Sequence, residues 1–220
     1  MRLSAAVLMV LFLVGWSRAF AAEETTKIDN ELVRVLVVES AAGARSQLHE
    51  HQVNRVMVYL DAGKMTLTDS EGAVEQLNFK KDEALWSPMT KRPHVSENVS
   101  GHPVKIVEIE VKSLPGRKQA AGELDWVKVD PRRYKVELEN DQVRVVRVKY
   151  GPHEKGVFHE HPYNLVVAYL SDGQMKVSPQ EGEPVTVSYK RGDVKFGRAS
   201  KHVEENLSDA PLEIVVVELK

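Results

Sequence analysis

Apolar residues in this chain gather in short, β-branched runs separated by turn residues. Leu32 to Val38, Val56 to Leu60, Met65 to Thr68 and Val104 to Val111 form one series. Val143 to Val148, Leu165 to Leu170, Met175 to Val177, Val185 to Tyr189 and Ile214 to Leu219 form a second. Runs of this length and composition predict strands, with turns at Asp61-Ala62-Gly63, Ser70-Glu71-Gly72 and Gly101-His102-Pro103. Many short strands at even spacing, twice over, predict an all-β protein of two barrels or sandwiches.

The two series are copies of one another. Residues 30 to 65 recur without a gap at 140 to 175, pairing Asn30 with Asn140, Arg34 with Arg144, Tyr59 with Tyr169 and Gly63 with Gly173. Each copy carries a histidine pair, His49-Glu50-His51 and His159-Glu160-His161. After a two-residue shortening, a further histidine follows in each, as His94 to Asn98 matches His202 to Asn206. Such self-similarity marks a duplicated module. Between the copies, Ser113 to Tyr134 reads as a connector with one helical turn and a strand around Trp126 to Val129. The expected divisions are a leader over 1–21, a first domain over 22–112, a linker over 113–134 and a second domain over 135–220, each domain with its own core.

Side chains alternate along a strand, so His49 and His51 project to one side and Glu50 to the other. If that side is the barrel interior, two imidazoles converge and His94 joins them from a later strand. His159, His161 and His202 repeat the arrangement. Three neutral imidazoles can hold a divalent transition metal, Zn, Fe, Mn, Ni or Cu, and leave positions open for water or substrate. The competing possibility is a set of hydrogen-bonded core histidines. Recurrence of all three at matching places favours the metal.

The combination of Gly43, His49-x-His51 and Gly63 with His94-x3-Asn98 resembles the two signature motifs of the cupin superfamily. His159-x-His161, Gly173 and His202-x3-Asn206 carry the resemblance through the second copy, so the chain resembles a bicupin. That resemblance implies two tandem cupin-type β-barrels, or jelly rolls, with His49, His51, His94, His159, His161 and His202 as metal ligands, and Asn98 and Asn206 in structural roles. Two departures stand out. Val56 and Val166 occupy the place of the family's glutamate ligand, and His153 aligns with Gly43. Without a carboxylate, a bound dication keeps its full charge and is the stronger Lewis acid. Asn54 and Asn164 share strand parity with Val56 and Val166, and all four are expected to line the sites.

Composition narrows the function classes. The 30 basic and 32 acidic side chains are interspersed, which points away from nucleic acid and toward small-molecule or ionic partners. There is no cysteine, hence no disulfide, thiolate ligand or cysteine nucleophile. Arg2, the apolar run Ala5 to Trp16 and Ala19-Phe20-Ala21 resemble a secretory signal cleaved near Ala21. The expectation is a secreted or periplasmic protein, with no membrane partner in its mature form. Lys91, Arg92, Arg198 and Lys201 precede the third histidines and are candidates for steering an anion. The function expected is oxygenase-type or Lewis-acid chemistry on a small anionic molecule. The alternatives are a metal-dependent binding or sensor module and a structural duplicate with empty sites.

Overall fold

The computed structural model describes residues 22–112 and 122–220. The leader expected over 1–21 lies outside the described residues, as do residues 113–121 of the connector. Among the described residues, no helix is long and apolar enough to cross a membrane.

The first half contains β1 (Glu23–Asp29), β2 (Val33–Ser40), β3 (His49–His51), β4 (Asn54–Tyr59), β5 (Gly63–Asp69), β6 (Val74–Phe79), β7 (Glu83–Ser87), β8 (Thr90–Asn98) and β9 (Val104–Val111). A helical turn, α1 (Trp126–Val129), opens the second half. It is followed by β10 (Tyr134–Glu139), β11 (Val143–Tyr150), β12 (His159–His161), β13 (Asn164–Tyr169), β14 (Gly173–Pro179), β15 (Val185–Tyr189), β16 (Val194–Gly197), β17 (Ser200–Asn206) and β18 (Leu212–Leu219). Each half is a sandwich of two antiparallel sheets. A five-stranded sheet in the order β1-β2-β9-β4-β7 faces a four-stranded sheet in the order β3-β8-β5-β6. The second half repeats this with β10-β11-β18-β13-β16 and β12-β17-β14-β15.

The five-stranded sheets are covered on both faces, which explains why their strands are so rich in Val and Ile. One face looks into its own barrel. The other packs against the partner sheet: Val33, Val35, Val56, Val58 and Ile109 share one buried cluster with Val143, Val145, Val166, Ala168 and Val217. Each half also has a cluster of its own, around Tyr59 and Phe79 in the first and around Trp126 and Tyr134 in the second, but the largest core belongs to both halves. Each such side chain contributes about 1.5–3 kcal/mol when fully buried, so the halves hold one another folded. Polar contacts tie the seam at its margins, where Asn54 donates to Gln142 and Arg191 reaches both the Leu60 carbonyl and Asp82.

The segment expected as a strand around Trp126 is helical instead. Asp125 caps it by accepting from the Val127 N–H at 3.1 Å, and the same carboxylate takes the Arg144 guanidinium at 2.7 Å. Local capping and a buried ion pair override the β propensity of the valines. Trp126 is thereby driven into the second barrel, where it is 1% exposed.

Family-like turn geometry survives the loss of a glycine. Gly43 has φ +72°, and His153 at the matching place keeps φ 54°. Asn98 and Asn206 are fully buried and donate to loop carbonyls, Asn98 to Ser40, Ala41 and His102, and Asn206 to Gly151 and Ala210. Each pins the loops at one end of its barrel.

Candidate functional site

The structure brings each histidine triad together. β3 pairs with β8 so that His49 stands opposite His94, and β12 pairs with β17 so that His159 stands opposite His202. Ring centroids are 4.8, 4.6 and 5.2 Å apart in the first triad and 4.9, 4.7 and 5.0 Å apart in the second. In both, one ligand nitrogen from each ring lies within 4.8 Å of the other two.

Neighbouring acceptors fix how the rings are presented. His49 Nδ1 meets the Gln47 carbonyl at 2.8 Å, His94 Nδ1 the Arg92 carbonyl at 3.1 Å and His159 Nδ1 the Val157 carbonyl at 2.9 Å. A carbonyl only accepts, so each Nδ1 carries the proton and leaves Nε2 as a bare lone pair. His161 Nδ1 has Glu218 Oε1 as its nearby acceptor at 3.5 Å. Burial, with the neighbouring charges, pushes the His51 ring down to about 3 and the His159 ring down to about 4. Both are neutral near pH 7, the form that binds metal.

In the second barrel, the rings converge on a common centre. His159 Nε2 and His161 Nε2 are 3.1 Å apart, and His202 Nε2 is buried without a hydrogen-bond partner. Three buried imidazoles with a nitrogen each within 4.8 Å of the others are a donor set that a divalent transition ion takes, so these residues fit a metal ion. Next to them stands a carboxylate that the sequence reading did not single out. Glu204 Oε1 lies 3.5 Å from His202 Nε2, and Glu204 Oε2 accepts from the Tyr150 hydroxyl, which in turn meets the Tyr134 hydroxyl at 2.6 Å. Burial alone would raise the Glu204 carboxyl, but the facing His202 ring, supported by His159 and His161, holds it down to about 2. Trp126 closes one side, its ring 4.3 Å from that of His161. Beside the triad, a cavity of about 300 Å³ has Val148, Val167, Met175 and Val187 as apolar walls and Lys195 and Arg198 among its polar lining.

The first triad differs at one decisive place. Arg55 extends from β4 and its Nη1 donates to His51 Nε2 at 2.8 Å and to Glu108 Oε1 at 3.0 Å, while Nη2 donates to Ser87 Oγ at 2.7 Å. The lone pair of His51 that would face a metal is therefore already engaged. Two unit charges at about 4 Å interact by about 4 kcal/mol at the effective dielectric of partly buried sites, so a dication that close to a guanidinium meets roughly twice that repulsion. As they stand, these residues do not fit a cation. A further grouping of His51, Glu108 and Glu110 has its carboxylates committed to Arg55 and Arg34.

The four side chains expected to line the sites do not. Val56 and Val166 are wholly buried in the core shared by the halves, on the far face of the sheet. Asn54 bonds to Gln142 and takes the Met89 N–H, and Asn164 takes the Ala199 N–H. The histidine strands and β4 or β13 belong to different sheets and are separated by a two-residue break, so parity does not carry across. The residues that do face the triads are one position earlier, Arg55 and Leu165.

Other candidates find simpler places. Glu50 is exposed and accepts from Gln52, and Glu160 pairs loosely with Lys201 at 3.9 Å. Trp86 and Phe196 pack on the shared core. Arg198 lines the second cavity, and Arg92 a cavity of about 450 Å³ at the first barrel.

No family model and no curated protein matches the sequence. The fold does have solved neighbours. A cupin 2 conserved barrel domain protein from Leptotrichia buccalis matches with TM-score 0.55 at 12% identity, over 93% of this chain and 91% of the other. Oxalate decarboxylase from Bacillus subtilis, a protein with Mn(II) centres, matches with TM-score 0.59 at 15% identity, over 90% and 72%. Vicilin from hazelnut, Corylus avellana, matches with TM-score 0.61 at 13% identity, over 92% and 84%. At these identities, the likeness is one of fold.

Proposed function

We propose that this chain, two cupin-type barrels in tandem, is an exported metal-dependent protein that holds a divalent transition ion on His159, His161 and His202 and acts on a small anionic molecule beside it. The observation that carries this reading is the convergence of three buried imidazoles, with the Nε2 atoms of His159 and His161 3.1 Å apart and that of His202 buried without a hydrogen-bond partner. A bound ion would supply Lewis acidity to an oxygen of the substrate. The chain supplies the rest. Glu204, held by Tyr150, presents an acceptor oxygen beside His202, and Trp126 keeps water from the back of the triad. Lys195 and Arg198 offer positive charge to an anion, and the valine-lined walls suit a compact apolar body.

Elemental analysis of protein purified without a histidine tag tests the reading. Near-stoichiometric metal is expected in the native chain, and its loss in His159→Ala/His161→Ala. Equal metal content in the two proteins would refute it. Turnover of small carboxylates by the loaded protein would mark an enzyme, and ligand-induced stabilisation without turnover a binding module.

A further inference from the structure

Arg55 is the point at which the duplicated barrels part company. Arg55 is 7% exposed, its guanidinium is held by Glu108 on one side and Ser87 on the other, and its Nη1 donates to His51 Nε2. The matching residue of the second barrel is Leu165, and Val216 stands where the first barrel has Glu108. Leu165 and Val216 belong to the apolar cluster of the second barrel, so an apolar pair there has been exchanged for an ion pair here. The exchange is local. The triads share ring spacings within a few tenths of an ångström, and His49 and His94 keep the protonated Nδ1 that leaves Nε2 bare.

We infer that the Arg55 guanidinium occupies the cation's place in the first barrel, so that His49, His51 and His94 take up no divalent ion and only the second barrel binds one. A metal bound to imidazole sits about 2.0–2.1 Å from the nitrogen, along the lone pair that the Arg55 N–H already uses. Binding would require the guanidinium to leave two other partners and would strand Glu108 in a buried site. In the first triad an arginine does for the His51 lone pair what an ion would do in the other half. The count of one ion per chain rests on the proposed role of the second barrel. The claim about Arg55 does not.

Zinc content after incubation with excess Zn(II) and desalting, measured on the full chain, separates the two. One equivalent is expected in the native protein, one in His49→Ala/His51→Ala and none in His159→Ala/His161→Ala. The double variant R55L/E108V, which copies the pair of the second barrel, is expected to take two. R55Q/E108Q gives the same readout while keeping the site polar should the apolar pair fail to fold, and circular dichroism reports folding for both. Two equivalents in the native protein, one of them lost in His49→Ala/His51→Ala, would overturn the inference and leave the second barrel's role intact. No zinc in the native protein but one equivalent in R55L/E108V or R55Q/E108Q would do the reverse. Folded Arg55 variants that gain nothing over the native protein would overturn it as well.

Discussion

The Tyr150 hydroxyl donates to Glu204 Oε2 at 3.0 Å, a contact absent from the first barrel, where the matching residues are Ser40 and Ser96. Tyr150→Phe would leave a buried carboxylate with one donor fewer, at a cost of about 2 kcal/mol. Ser40 Oγ is buried without a hydrogen-bond partner, so Ser40→Ala should change stability by less than about 0.5 kcal/mol. Urea unfolding of both variants gives the comparison, and equal effects would show that the Tyr150 contact carries no energy.

Alkaline pH should unfold the protein through its buried tyrosines. Burial pushes Tyr59 and Tyr169 up to about 12, and raises Tyr134, Tyr150 and Tyr189 too. A raised value in the folded state means that the stabilisation is fully present below pH 10 and is lost as pH climbs from 10 through 12, by about 3 kcal/mol for a group shifted by two units. Absorbance at 295 nm should therefore rise together with loss of β circular dichroism. Smooth ionisation near pH 10 with the fold intact would contradict this.

Two glycines are fixed by what lies against them. A Cβ on Gly63 would stand 2.5 Å from Ser100 Oγ and 2.8 Å from the Phe79 ring, and one on Gly173 would stand 2.8 Å from the Tyr189 hydroxyl. Gly63→Ala and Gly173→Ala should each cost about 1–3 kcal/mol by overpacking. Gly151, whose nearest neighbour would be Glu154 at 3.4 Å, should accept alanine with little change in melting temperature.

Because the largest core straddles both halves, neither should stand alone. Residues 22–112 or 122–220 expressed separately would expose Val33, Val56 and Ile109, or Val145, Val166 and Val217. Each fragment should aggregate or lack cooperative unfolding, and co-expression should restore a soluble pair. A separate half that melts cooperatively as a monomer would refute the shared core.

Strand periodicity and the repeat made the architecture and both triads legible, because His-x-His on a strand and a matched third histidine are local signals. What escaped depended on contacts between distant segments. Val56 and Asn54 looked like site residues until the break between the histidine strand and β4 set their direction. Trp126 read as a strand residue because the Asp125–Arg144 pair that caps its helical turn joins positions 19 apart. Arg55, Glu108 and Glu204 were visible all along as places where the copies disagree in charge, against Leu165, Val216 and Ser96. Differences inside a repeat held the site chemistry that the identities concealed.

The back-to-back seam of valines has one last consequence. Two identical barrels meeting across such a surface would form a symmetric dimer in which every substitution appears in both pockets. With the partners fused into one polypeptide, an arginine can enter one pocket while the other keeps its leucine, and the altered half still serves as the scaffold against which its twin folds.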